Sequence, residues 1–121
     1  MVEDDGSVRK AFGRLVRSAG LAADTYASGE EFLQAIPRRL PDCVLLDLQL
    51  PGMDGLGVQA WLRASAIKLP VVFITAINDV ASRDQAMQHG ATAWLRKPVD
   101  DLALLEAIAK ALSGKNVPPA A

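Results

Sequence analysis

Four apolar runs in this chain stop at residues that could do chemistry. Glu3, Asp4 and Asp5 follow Val2, and Asp47 follows Val44-Leu45-Leu46. Thr75 follows Val71-Val72-Phe73-Ile74, and Arg96-Lys97-Pro98 follow Trp94-Leu95. A carboxylate at the tip of a buried run needs a partner, because ionised groups are rarely buried unless paired or bound to metal. Three or four carboxylates brought to one place would repel each other unless a cation sat among them. The chain has one His and one Cys, so the donors are hard oxygens, which favour Mg2+ over zinc or copper. A lysine and a hydroxyl at the same place suit an anion with several oxygens. A phosphoryl group bridged to Mg2+ would satisfy all of these groups, which makes Asp47 a candidate nucleophile forming an acyl phosphate.

The elements that must position these residues can be read from periodicity. Val8, Ala11, Phe12, Leu15, Val16 and Ala19 recur at helical spacing, with Gly20 at the stop. Residues 22–26 read as a short strand, and Ser28 with Glu31 has the spacing of a capping box opening a helix that ends before Pro37. Residues 43–47 and 70–75 are apolar without alternation, as suits parallel strands buried on both faces. Helices are expected over 56–64 and 79–88, a last strand over 92–95, and a final helix capped by Asp100 or Asp101 and running to about Leu112. Strands alternating with helices imply an α/β domain with a mostly parallel sheet. Ligands bind such sheets beyond the carboxyl ends of the strands, which is where the four polar stops fall.

Composition excludes several alternatives. The 121 residues fit one domain, with 50% hydrophobic and 22% charged residues. The net charge of −1 advertises neither nucleic acid nor an anionic membrane as a direct partner. No apolar run approaches the roughly 20 residues needed to cross a bilayer, and Cys43 alone can form no internal disulfide. The expected location is cytoplasmic.

The stretches "VEDDGSVR", "VLLDLQLPGMDG", "VVFITA" and "WLRKP", in this order and spacing, resemble the receiver domains of bacterial two-component response regulators. "VRSAG" with "TYASGEEFL" is further similar to receivers of the FixJ type, which usually precede a helix-turn-helix output domain. The resemblance implies a flavodoxin-like, doubly wound five-stranded parallel sheet of order 2-1-3-4-5, with helices on both faces. It assigns residues 1–113 to the receiver and 114–121 to a C-terminal tail or the start of a linker. Asp47 would be the phosphoacceptor. Asp4 would be the more direct Mg2+ ligand, Glu3 would act largely through water, and Gln49 would offer its backbone carbonyl. Lys97 would pair with the phosphoryl oxygens, aimed by a cis peptide at Pro98. Thr75 and the backbone N–H of Ala76 would bind the phosphoryl group, and Trp94 would be the aromatic switch residue. The implied partners are a sensor histidine kinase, an output domain or downstream protein, and, as an option on activation, a second copy in a homodimer; the implied output face is the fourth helix, last strand and last helix. DNA binding would belong to residues outside this chain.

Simpler readings stand beside these. Asp5 is a natural cap for the first helix, Asp54 and Gly55 form the loop and start of the third, Cys43 is a core residue, and His89 is a helix-end imidazole. Trp94 could merely pack against the last helix. A haloacid-dehalogenase-type phosphatase would need a second Asp where Gln49 stands, and a nucleotide-binding flavodoxin relative would need a Gly-rich phosphate loop. A pseudo-receiver, an interaction module without phosphotransfer, is the main alternative. Its support is the first strand, because only Met1 and Val2 precede Glu3. That strand lies inside the sheet, so the expectation is either a start further upstream or a stub patched by rearrangement or by another chain.

Overall fold

The computed structural model describes residues 1–116, with side chains through residue 113. Eight elements alternate along it: α1 (Gly6–Ser18), α2 (Gly29–Ala35), β1 (Val44–Asp47), α3 (Gly55–Ala64), β2 (Val71–Thr75), α4 (Val80–Gln88), β3 (Ala93–Arg96) and α5 (Asp101–Asn116). The three strands pair in parallel in the order β1-β2-β3, with Leu46 beside Phe73 and Phe73 beside Trp94.

The second strand expected over residues 22–26 is present only as a single bridged position at Tyr26, a correction, while the first strand, expected to be truncated, is a stub bridged at Val2. Val2 is bridged in parallel to Leu46 on one side and to Tyr26 on the other. The order across the sheet is thus Tyr26, Val2, β1, β2, β3, which is 2-1-3-4-5 with two positions shortened. The stub is held within this one chain. Val2 donates to Leu45 O at 2.8 Å and accepts from Asp47 N at 3.0 Å, while Glu3 N donates to Tyr26 O and Tyr26 N to Met1 O. The charged N-terminus of Met1 adds a bond to Asp24 O at 2.9 Å, and residues 21–25 form no ladder. Beneath Met1 lies a cavity of about 240 Å³, lined by residues including Phe12, Val16, Leu21, Leu45, Ile108 and Leu112.

The non-alternating strands bury both faces. Val44, Leu46, Val71 and Phe73 point into a core shared with Phe32, Val58 and Leu62, from α2 and α3. Leu45, Val72 and Ile74 point into a second core with Phe12 and Val16 of α1 and Leu104 and Ile108 of α5. Helices thus cover both faces, as a parallel sheet requires. The starts follow the short polar side chains in the sequence. Asp5 caps α1 through Ser7 N (2.8 Å) and Val8 N (3.3 Å), and Asp54 caps α3 through Gly57 N at 2.8 Å. Ser28 Oγ accepts from Glu31 N, while the Glu31 carboxylate takes the Ala27 N–H. Asp100, not Asp101, caps α5, accepting from Ala103 N. That helix passes the expected stop near Leu112 and runs to Asn116, because no Pro or cap intervenes. The rest of the expected tail, residues 117–121, lies outside the described residues.

Because Val2 is fully buried and carries the inner edge of the sheet, Val2→Ala is expected to cost about 2 kcal/mol in urea unfolding. Val80→Ala, on a residue 65% exposed, should stay within about 0.5 kcal/mol.

Candidate functional site

The carboxyl ends of Val2, β1, β2 and β3 bring Glu3, Asp47, Thr75 and Lys97 to one edge. Parallel pairing does this, since the Leu46–Phe73–Trp94 register sets the strand ends side by side. Lys97 is fixed at its backbone by donating to Thr75 O at 2.8 Å, and the Lys97–Pro98 peptide is cis. From there its ammonium donates to Asp47 Oδ2 at 2.9 Å and to Glu3 Oε1 at 2.5 Å. One cation therefore bridges two buried carboxylates, Glu3 at 0% and Asp47 at 6% exposure. Asp47 Oδ1 accepts from Gln49 N at 3.1 Å, which turns the chain immediately after β1.

Asp4 is exposed beside them, and the carboxylate oxygens of Glu3, Asp4 and Asp47 lie within 4.8 Å of one another. Glu3 Oε2 is buried with no hydrogen-bond partner among the described residues. A buried carboxylate oxygen without a donor is costly, and three carboxylates around it form a hard-oxygen donor set that fits a divalent cation. Gln49 and Asp4 line one groove with Asp54.

The remaining residues predicted for the site fall around it. Thr75 is fully buried, and its hydroxyl accepts from Ile77 N at 3.1 Å, while Ala76 is exposed in the turn between them. Trp94 is half-buried and packs on Phe73, ring centroids 5.5 Å apart, rather than on α5. Asp5 is at the helix cap and takes no part. The sequence reading overlooked two further residues. Arg9 Nη1 donates to Glu3 O at 2.8 Å, and the Glu30 carboxylate accepts from Met53 N at 3.2 Å, tying the loop after β1 to α2. Arg9 lies inside "VEDDGSVR", but nothing in its spacing says that a helical arginine reaches back to a strand carbonyl. The role expected for Lys97 looked only to a phosphoryl group, whereas its partners here are both carboxylates.

Electrostatics follow from the burial. The Glu3 carboxyl is pushed up to about 7, first by burial, then by the neighbouring Asp47 carboxyl, against the pull of Lys97. For Lys97, burial works against the charge, but the hydrogen bonds to Glu3 and Asp47 overcome it and hold the ammonium above its ordinary value.

This is a doubly wound α/β domain of the flavodoxin-like kind, with an acidic site at the carboxyl edge of its sheet. The sequence model of the response regulator receiver domain matches residues 1–109, and the chain belongs to that family. It is 39% identical to nodulation protein W of Bradyrhizobium diazoefficiens over 111 residues, covering 92% of this chain and 49% of that protein. It is 38% identical to the DNA-binding transcriptional regulator NtrC of Escherichia coli over 100 residues, 83% of this chain and 21% of that one. The chain thus spans half or less of the length of these relatives. Among solved structures, a response regulator receiver protein from Burkholderia phymatum superposes with TM-score 0.80 at 46% identity, covering 93% of this chain and 91% of that one. The response regulator StyR superposes with TM-score 0.86 at 39% identity, covering 95% and 58%. The chain is a receiver domain of the two-component response-regulator type. No helix among the described residues is long and apolar enough to cross a membrane.

A folded-state value raised from 4.5 to about 7 means that the folded protein holds the Glu3 proton more tightly across that window. The contribution of Glu3 to stability therefore falls as pH rises from about 4.5 to about 7 and levels above it. In metal-free buffer, the unfolding free energy of wild type relative to Glu3→Gln is expected to drop by about 3 kcal/mol across this window. The opposite slope, or none, would contradict the assignment.

Proposed function

We propose that this domain is a phosphoacceptor switch, modified on Asp47 in a Mg2+-dependent reaction by a sensor histidine kinase. The observation that carries this reading is the Lys97 ammonium bridging Glu3 and Asp47 beside an unpartnered buried carboxylate oxygen. In the reaction an Asp47 carboxylate oxygen attacks phosphorus. The bond from phosphorus to the donor breaks, and the donor leaves with its electron pair: the imidazole of the kinase, or acetate when acetyl phosphate is the donor. Glu3 and Asp4, with Asp47 and the Gln49 backbone, would hold the cation, which when bound neutralises charge on the transferring oxygens. Lys97 is already hydrogen-bonded to Asp47 and needs only a small shift to follow the new phosphoryl oxygens. Thr75 and the Ala76 N–H stand at the end of the neighbouring strand to receive them.

Switching needs an element with two arrangements whose balance the modification shifts by a few kcal/mol. The Thr75 hydroxyl now accepts from Ile77 N, and turning it toward a phosphoryl group would free space near Trp94 on the adjacent strand. The face made by α4, β3 and α5 is suited to be read by an output domain, a downstream protein or a second copy. It exposes Val80 at 65%, Met87 at 43% and Leu102 at 64%. Regulation of transcription would require a DNA-binding domain outside this chain, as the name of the NtrC relative indicates for that protein.

Intact-protein mass after incubation with acetyl phosphate tests the reading. Wild type with Mg2+ is expected to gain one phosphoryl group, and wild type with chelator or Asp47→Asn to gain none. Lys97→Ala is expected to label about a hundredfold more slowly, the scale for losing one charge-stabilising donor. No adduct in wild type under any condition would favour the pseudo-receiver reading.

A further inference from the structure

We infer that Arg9 is a positioning residue for the acidic pair, locking the Glu3–Asp4 turn in its ligating geometry; this rests on reading Glu3 and Asp4 as cation ligands. The backbone explains why such a lock is needed. Val2 pairs in parallel with Tyr26, and Glu3 N donates to Tyr26 O. If that ladder continued, the next donor to reach the Glu3 carbonyl would be Ser28 N. Ser28 is instead the N-cap of α2, and the ladder ends one bond early. The Glu3 carbonyl is left as an acceptor at the point where the chain turns from strand to helix.

Arg9 fills that gap. It sits in the first part of α1, its backbone N–H bonded to Asp5 O at 3.0 Å. Its guanidinium reaches back over the turn, with Nη1 donating to Glu3 O at 2.8 Å and Nη2 lying across Gly6. Glu3 is therefore held at both of its backbone groups where the turn begins, its N–H by Tyr26 O and its carbonyl by a charge-assisted bond from Arg9. The direction of the Glu3 and Asp4 side chains depends on this turn, which the clamp fixes. Arg9 also brings positive charge near carboxylates that would bind a cation, which alone would weaken binding. The two effects have opposite signs and can be separated.

Calorimetric titration of the 121-residue chain with Mg2+ alone, for wild type, Arg9→Ala, Arg9→Lys and the neighbouring exposed control Lys10→Ala, makes the test. Loss of the clamp is expected to weaken Mg2+ binding about tenfold in Arg9→Ala, the scale for residues that orient metal ligands. Lysine should recover most of the loss, and Lys10→Ala should match wild type. The Asp4 and Asp5 amide resonances should move in Arg9→Ala. If that variant does not fold, Arg9→Gln takes its place, with a smaller loss in the same direction. Unchanged Mg2+ affinity with only a lowered Tm, or tighter binding, would overturn the inference. A wild type that binds no Mg2+ would defeat the proposed function, and this inference with it.

Discussion

One ammonium group between two buried carboxylates is the constraint around which the rest of this domain is arranged. Glu3 and Asp47 sit on adjacent strands of a parallel sheet, in positions where neither can reach bulk water. Left alone they would repel and one would take up a proton, and the raised Glu3 carboxyl shows how close the site stands to that outcome. Lys97 prevents it from the far side of the sheet, reaching across the end of β2. The register of three strands, the turn after β3 and the short stub at Val2 all serve this meeting of charges.

A buried pair of this kind is weak evidence for stability, because desolvation offsets much of the attraction. Its value lies in being unfinished. Glu3 Oε2 has no partner among the described residues, and Asp4 adds a third carboxylate within reach. Lys97 therefore holds the site together without saturating it, leaving Glu3 Oε2 without a donor among the described residues. On the proposed reading the same lysine would follow the charge from carboxylate to phosphoryl, and Thr75 and Ala76 would add the new contacts.

Much of this was legible in the sequence because it depends on where strands end. The apolar runs before Asp47 and Thr75 gave the two central strands, their burial on both faces and the polar residues at their tips. The caps at Asp5 and Ser28 were readable from residue type and spacing alone. The outer half of the sheet was less legible. Residues 22–26 have strand-like composition, but a strand needs a partner, and among the described residues this run is bridged only at Tyr26. The stub was also better supported than its length suggests, since backbone bonds on both sides of Val2 do not depend on side chains. Trp94 was read as either packing on the last helix or switching, and its ring lies on Phe73 on the opposite face of the sheet from α5. Arg9 escaped because side-chain reach to a distant carbonyl leaves no periodic signal.

The account rests on Lys97 and Glu3 acting as one unit, and a double-mutant cycle measures that directly. Unfolding free energies of wild type, Glu3→Gln, Lys97→Met and the double variant would be taken in metal-free buffer at pH 8, above the value to which Glu3 is raised. A bridged pair predicts that the two substitutions are non-additive by about 1 kcal/mol or more, with Lys97→Met much less costly once Glu3 is neutral. Additivity to within about 0.5 kcal/mol would mean that the two residues do not sense each other, and would contradict the account at its centre.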